Sequence, residues 1–172
     1  MPTTRSGRLL MVIALVSLLP LLPGLAAGQG EELTPEQRKQ LESEARRLNA
    51  EAFAQYQKRN YQAAVRSLER AVAVLERLYP KQDHPDLAGS LTNLGLVLDA
   101  LGQPGKALPY RERALAMYER LYPKRDHLDL AASLNNLGAV LHSLGQAGKA
   151  LPYLERALAM RLRLYEIGRA HV

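Results

Sequence analysis

Two histidines that lie beside aspartates are the residues of this sequence best suited to hold a metal. The pattern Asp-His-x-Asp occurs twice, at Asp83–Asp86 and at Asp126–Asp129. Zinc needs three or four ligands that converge on one point, and a single turn supplies too few. The same pattern is typical of a helix start, because a polar cap is followed by an acid near the positive helix end, with Pro85 in the first turn of one copy. We therefore predict two helix starts and no metal site.

Other residue types give little support for catalysis. The chain has no cysteine, which excludes a thiol nucleophile, a disulfide and a thiolate metal site. No serine stands in a nucleophile elbow, no glycine-rich loop is arranged to hold a phosphate, and no pair of carboxylates stands out. The sequence therefore predicts a protein without a catalytic residue or a cofactor, and not an enzyme.

Charge is spread along the chain and is not collected in a stripe. The formal net charge is +6, of which two come from Arg5 and Arg8 near the amino terminus. Acidic and basic residues stand side by side, as at Glu112-Arg113, which is typical of a solvated helix face. A nucleic-acid-binding protein more often carries a basic stripe with stacking aromatic residues. We expect no nucleic-acid partner.

The first 28 residues have the composition of an export signal. Arg5 and Arg8 precede an uncharged apolar run at 9–22, and the small residues at 26–28 suit cleavage by a leader peptidase. A helix that spans a bilayer needs about 20 apolar residues, and two prolines interrupt this run. We predict a signal peptide at 1–28 and export of the mature chain to the periplasm, the cell envelope or the medium. An uncleaved anchor is the alternative.

The strongest signal in the sequence is an internal repeat of 43 residues. Pro80–Tyr122 and Pro123–Tyr165 are identical at 32 positions, and residues 34–79 form a more diverged copy. A period of this size indicates stacked supersecondary units, so residues 29–165 are predicted to form one domain of three units. The last seven residues, 166–172, leave the pattern, resemble a translated sequencing adapter and are predicted to be a non-native tail.

Each unit is predicted to fold into two helices. An apolar stripe with helical spacing runs through the first helix of the second unit at Leu87, Leu91, Leu94 and Leu98. Gly102 then suits a left-handed helix end. Gly95 and Gly138 lie inside helices, where glycine costs about 1 kcal/mol relative to alanine, so we expect close helix packing there. Because strand-like alternation is missing from the sequence, the predicted fold class is all-α.

Positions at which the two similar units differ lie on one side of the first helix. The side-chain spacing places five of the eleven differences on a single face, namely Gly89/Ala132, Thr92/Asn135, Leu96/Ala139, Asp99/His142 and Ala100/Ser143. The apolar stripe does not differ between the units. One face of the helix is therefore predicted to pack, and the other to be free for recognition.

At Asn93-Leu94-Gly95, Ala107 and Ala114 the sequence resembles the tetratricopeptide repeat, in the long-period form of kinesin light chains. The resemblance covers residues 34–165 and implies a right-handed superhelical solenoid of antiparallel helix pairs. It also implies that the variable face lines a concave groove for a bound peptide, with these residues in the groove: Asn49, Tyr56, Thr92, Asn93, Leu96, Asp99, Asn135, Asn136 and His142. An amide side chain both donates and accepts hydrogen bonds, which suits an extended peptide backbone. The alternative is that these asparagines cap or bridge helices.

The predicted function is accordingly that of an exported scaffold that binds a protein or a peptide. A second possibility is that the repeats are the regulatory front of a larger enzyme, such as a caspase-like peptidase. A third is self-association through the last helix, which is a near copy of an internal helix that the next unit should cover. Leu151, Leu154, Leu158 and Leu162 are predicted to leave apolar surface exposed.

Overall fold

Six α-helices make up the described part of the chain. The computed structural model describes residues 32–170, with helices α1 (Pro35–Gln57), α2 (Tyr61–Leu78), α3 (Pro85–Ala100), α4 (Pro104–Leu121), α5 (Leu128–Ser143) and α6 (Ala147–Ala170). The predicted signal peptide lies outside these residues. Helix α6 continues through most of the predicted tail, of which only residues 171 and 172 are not described.

The helices are stacked as successive pairs. The closest packing joins α1 with α2, α3 with α4, and α5 with α6, and looser packing joins α2 with α3 and α4 with α5. A continuous apolar core of leucine, valine and alanine side chains runs through these contacts. Because each pair packs on its neighbours along the chain, the fold is a helical solenoid. The predicted all-α fold is confirmed.

A reciprocal cap at the first helix shows why α1 begins where it does. The backbone N–H of Gln37 donates to Thr34 Oγ1 at 3.2 Å, and the backbone N–H of Thr34 donates to Gln37 Oε1 at 2.8 Å. Pro35 occupies the first turn, where its missing N–H leaves no hydrogen bond unmade. This capping box satisfies two of the backbone donors that a helix start leaves free.

Helices α3 and α5 begin at the two histidines. The N–H groups of Asp86 and Asp129 donate to Nδ1 of His84 and His127, each at 3.2 Å. The His84 ring stacks on Tyr79 with centroids 3.6 Å apart, and the His127 ring stacks on Tyr122 at 3.7 Å. The predicted helix starts are confirmed, with histidine as the capping residue. Within residues 32–170 no three His, Cys, Asp or Glu side chains are grouped so that they could hold a metal.

Left-handed backbone ends the first helix of each pair. Gly102 and Gly145 have φ values of +70° and +74°, as expected for a helix that ends in a left-handed residue. In the first pair Arg59 takes the equivalent position with φ of +60°. A residue with a Cβ is less favourable than glycine in this region. The end of the first helix is therefore less favourable in the first pair than in the other two.

We call the first helix of each pair (α1, α3 and α5) the inner helix and the second (α2, α4 and α6) the outer helix. Glycines inside two of the inner helices allow the outer helix of the same pair to approach closely. A Cβ on Gly95 would lie 2.9 Å from Cγ of Arg111, and one on Gly138 would lie 2.6 Å from Cγ of Leu154. The alanines that face these helices, Ala107 and Ala150, are almost fully buried. The predicted close packing at both glycines is confirmed.

The last two outer helices each contain a proline. Helix α4 runs through Pro109 and α6 runs through Pro152, each without a break. Of the helices within residues 32–170, none has both the length and the apolar character needed to cross a membrane.

Candidate peptide-binding groove

A surface depression of about 570 Å³ lies between the inner helices α1 and α3. Leu75 of α2 and Tyr79, which directly follows α2, also line it, so the depression is open on one side and closed by the outer helix on the other. Its polar lining combines amides, a hydroxyl and charged groups: Glu42, Arg46, Asn49, His84, Asp86, Ser90 and Asn93. Two of the predicted groove residues, Asn49 and Asn93, are therefore brought to one site from different units.

Asn49 uses its amide to connect two units. Its Nδ2 donates to the carbonyl of Ala45 at 3.0 Å, and its Oδ1 accepts from Oγ of Ser90 at 3.1 Å. Ser90 is almost fully buried and also donates to the carbonyl of Asp86 at 2.9 Å. Asn49 thus bridges α1 and α3 at the wall of the depression, which is the structural role that the sequence left open for the asparagines.

Asn93 and Asn136 differ from Asn49 in this respect. Asn93 is exposed and Asn136 is half-buried. Neither side chain makes a hydrogen bond to another group between residues 32 and 170. Their donors and acceptors face the surface that the variable residues share, so both amides are available to an incoming backbone.

The remaining predicted groove residues fall into an exposed and a packed set. Leu96 and His142 are exposed, and Asn135 is half-buried. Tyr56 is half-buried and packs on Tyr61, with ring centroids 5.5 Å apart. Thr92 and Asp99 point instead toward the outer helix α4, which makes them part of the packing of their own pair.

Asp99 is held by a buried arginine. Arg111 is 5% exposed, and its Nη2 donates to Oδ2 of Asp99. Arg111 Nε and Asp99 Oδ1 are buried and make no hydrogen bond within the described residues. The carboxylate therefore neutralises an internal cation, and only part of the Asp99 side chain remains for a ligand.

Thr92 lies beside the hydroxyl group of Tyr118. Burial, together with the negative charge of Asp129, raises the pKa of Tyr118 to about 12, and the nearby Thr92 hydroxyl, which itself donates to the carbonyl of Ala88 at 2.9 Å, opposes this rise. A Cβ on Gly89 would stand 3.8 Å from the same hydroxyl. Tyr118 therefore fills the space between α3 and α5 that stays open between α1 and α3, where Leu75 takes the equivalent position.

Phe53 is a candidate groove residue that the sequence reasoning missed. It is 64% exposed on α1, and Leu96, its equivalent on α3, is 42% exposed. Phe53, Leu96 and Ala139 occupy equivalent positions in the three units, 43 residues apart, and Ala139 is also exposed. Applying the repeat register to the first unit would have found Phe53, and the three residues add an apolar strip to the polar wall.

Carboxylate side chains lie in the depression and at the starts of α3 and α5. Glu42 lies 3.5 Å from Arg46 in the depression, whereas the carboxylates of Asp86 and Asp129 are more than half exposed. Burial, followed by the charges of Glu42 and Asp86, raises the pKa of Tyr79 at the back of the depression. The surface therefore offers carboxylate acceptors beside free amides.

Comparison with known proteins places this geometry in a family. The family model described as tetratricopeptide repeat matches residues 43–120 and 112–163. No curated protein matches the sequence significantly.

Solved structures resemble the chain over most of its length. BtubC (BKLC) from P. vanneervenii is 28% identical with a TM-score of 0.65, over 70% of this chain and 48% of that protein. A putative kinesin light chain with nearly identical TPR-like repeats from Podosopora anserina is 25% identical with a TM-score of 0.62, over 75% and 58%. A TPR-like protein from Chlorobium tepidum shares the fold at 19% identity and a TM-score of 0.57, over 72% and 82%.

The chain thus spans about half the length of the first two structures. Its 43-residue units match the family model through all three helix pairs. The chain belongs to the tetratricopeptide repeat family, and its repeats are of the kinesin-light-chain-like kind.

Proposed function

We propose that this protein is an exported scaffold that holds an extended segment of a partner protein along the inner helices α1, α3 and α5. Tetratricopeptide repeats generally mediate protein interactions, and the proposal assigns that role to one surface. The observation that carries it is the depression between α1 and α3, beside which the amide of Asn93 is exposed and unpaired within the described residues. Asn136 stands at the equivalent position one unit further along, half-buried and likewise without a hydrogen bond within the described residues.

The chemistry of the surface supports an extended segment over a folded domain. The side-chain amides of Asn93 and Asn136, one unit apart, can hold the backbone of a strand, and the carboxylates of Asp86 and Asp129 can accept from its N–H groups or its basic side chains. Phe53 and Leu96 supply apolar contact between these polar positions. The role of the repeats as the front of a larger enzyme is supported only by the resemblance of the sequence.

A peptide selected from a random library tests the groove. A labelled peptide that binds the chain should bind the Asn93→Ala/Asn136→Ala variant at least about tenfold more weakly, since each lost hydrogen bond contributes roughly 0.5–1.5 kcal/mol. Fluorescence anisotropy measures this change. Gln62→Ala is the matched control, because Gln62 is an exposed amide on the outer helix α2.

The same variants separate binding from folding. The double variant should unfold within about 0.5 kcal/mol of the parent, as is usual for exposed positions. Equal peptide affinity in all three proteins would refute the groove assignment. A large loss of stability in the double variant would show that these asparagines are structural, as Asn49 is.

Export is the second part of the proposal and is supported by the composition of residues 1–28. A cleaved leader predicts a mature amino terminus at or near Gln29. Mass spectrometry of the protein recovered from a bacterial host that exports it measures this terminus directly. Recovery of an intact Met1 in a membrane fraction would contradict cleavage and favour the anchor.

A further inference from the structure

The last helix carries a large apolar surface that no helix in the described residues covers. Leu151, Leu158, Leu162 and Tyr165 are 56%, 60%, 54% and 64% exposed. We call these four residues the α6 face. The prediction that leucines of this helix remain exposed is confirmed at three of its four positions, whereas Leu154 turns inward against Gly138.

Helix α4 shows how the same positions are covered inside the solenoid. Its equivalents of the α6 face are half-buried, apart from Leu115, which is 5% exposed. One of them is Glu119, which accepts from Nη1 of Arg156 at 2.5 Å and so joins α4 to α6. Glu76 and Arg113 join α2 to α4 in the same way.

The α6 face departs from this pattern at one position that matters. Leu162 takes the place of Glu119, so the acceptor that joins successive outer helices is replaced by an apolar side chain. A further helix pair, docked on α6 as α5 and α6 dock on α4, would leave its arginine without this partner. The α6 face is therefore more apolar than an internal face and poorly matched to another unit of the same sequence.

Spacing and charge on α6 match a second copy of the same helix. Leu151, Leu158 and Tyr165 are seven residues apart, the repeat with which two helices pack along a common seam. Exposed Glu155 and Arg161 stand three residues before and three residues after Leu158. An antiparallel arrangement centred on Leu158 brings the acid of each copy level with the base of the other, whereas a parallel one brings like charges level.

We propose that the α6 face is a homodimer interface, in which two copies of α6 pack antiparallel with Leu158 on the two-fold axis. Leu151 of each copy then packs beside Tyr165 of the other, on either side of the central Leu158 pair. Such an interface is isologous, because the same surface serves both partners. It lies on the last outer helix and leaves the inner helices free for a peptide.

Sedimentation velocity over a wide concentration range tests the dimer. The full chain should sediment as a monomer–dimer equilibrium, and Leu158→Glu should weaken dimerisation at least roughly tenfold, since it places two carboxylates at the centre of the interface. Leu128→Glu is the matched control, because Leu128 is 68% exposed on α5 and lies outside the α6 face. A chain that is monomeric throughout, or equal effects of the two variants, would overturn the proposal.

Orientation is tested by introducing cysteines into a chain that has none. Under oxidising conditions Leu158→Cys should form a disulfide-linked dimer, because the two sulfurs meet on the axis. Circular dichroism checks that each cysteine variant is folded. Leu151→Cys should crosslink only when mixed with Tyr165→Cys. Crosslinking of Leu151→Cys alone, at the rate of Leu158→Cys, would exclude the antiparallel arrangement.

A charge exchange gives an independent readout of the same geometry. Glu155→Arg and Arg161→Glu should each weaken the dimer, and the double exchange Glu155→Arg/Arg161→Glu should restore it. Restoration requires the acid of one copy to face the base of the other. If the double variant is as weak as the sum of the single changes, the proposed pairing is wrong.

Discussion

Arg111 and Leu154 occupy the same position in two helix pairs that are otherwise nearly identical. The inner helix that each of them contacts differs at the residue one turn beyond the shared glycine. Arg111 passes Gly95 and reaches Asp99. Leu154 packs on Gly138, and the residue equivalent to Asp99 is the exposed His142. The glycine leaves space for either side chain, and the residue one helical turn later changes with it.

Tyr118 and Arg161 form a second difference of this kind. Tyr118 is buried and reaches Gly89 and Thr92 of α3. In the third unit Arg161 is exposed, and α5 carries Ala132 and Asn135 at the matching positions. Differences between two copies of a repeat therefore mark internal packing as well as recognition, and each needs its contact before it is assigned to a groove.

Removing Asp99 should have the largest effect on this comparison. Asp99→Ala leaves the buried Arg111 without a counter-charge and should lower the free energy of unfolding by about 3 kcal/mol. This value is at the lower end of the range for breaking a buried ion pair, because Asp99 is partly exposed. Urea denaturation measures the change. His142→Ala, the equivalent exposed position, should stay within about 0.5 kcal/mol of the parent.

The double variant Asp99→His/Arg111→Leu sharpens the same test. It installs the combination of the third unit in the second, and removes both buried polar atoms that lack partners. Its stability should return to within about 1 kcal/mol of the parent, because replacing a whole buried pair is often neutral. If Asp99→Ala costs no more than His142→Ala, the pair does not stabilise the second unit.

Adding a methyl group at the two glycines should have an intermediate effect. Gly138→Ala should lower the free energy of unfolding by about 1–2 kcal/mol, since overpacking outweighs the gain in helix propensity. Gly95→Ala should cost less, because the nearest Arg111 atom is 2.9 Å from the new Cβ, against 2.6 Å for Leu154. Thermal unfolding compares them with Gly105→Ala, which meets nothing within 4 Å and should not destabilise. A destabilised Gly105→Ala would remove the packing explanation.

The smallest expected effect concerns an ion pair that the two units share. Arg120 donates to Asp83 at 2.7 and 2.8 Å, and Arg163 donates to Asp126 at the same distances. These hydrogen bonds hold the pKa of both aspartates below the usual value of 3.8. The stabilisation is therefore present above pH 3.8 and is lost as the pH falls through the lower, folded-state pKa.

Arg120→Ala should accordingly melt slightly below the parent at neutral pH, and at the same temperature as the parent in strong acid. The difference should also shrink at high salt, because the pair is exposed. Asp83→Asn is the matched variant and should show the same loss. A difference between parent and Arg120→Ala that is independent of pH would show that packing, and not charge, explains it.

Much of the fold was predictable from the sequence because its signals are local. The stripe of leucines, the helix starts at His84 and His127 and the glycine at 102 each act within one or two turns, and the structure confirms them. The Arg111–Asp99 and Tyr118–Thr92 contacts join residues on different helices, so spacing along one helix does not reveal them. Their signal was present in a weaker form, since both members of each contact differ between the units.

The groove was predictable only as a face. Asn49 and Asn93 are both amides on inner helices, yet one bridges to Ser90 and the other is free within the described residues. That distinction depends on which helix lies opposite each amide. Phe53 could be found only by carrying the 43-residue register into the first unit, because the comparison of the two similar units does not include that unit.

The division of contacts within and between units has a genetic consequence. The Arg111–Asp99 pair, which the third unit lacks, lies inside a single 43-residue unit, whereas the Glu76–Arg113 and Glu119–Arg156 pairs repeat at the two junctions between units. Unequal crossing-over at the unit boundaries therefore keeps the Arg111–Asp99 pair together. Duplication of the second unit can therefore lengthen the array with its Glu–Arg junction intact, whereas the third unit, with Leu162 in place of Glu119, lacks the acceptor for a following unit. Recombination inside a unit separates Arg111 from its carboxylate.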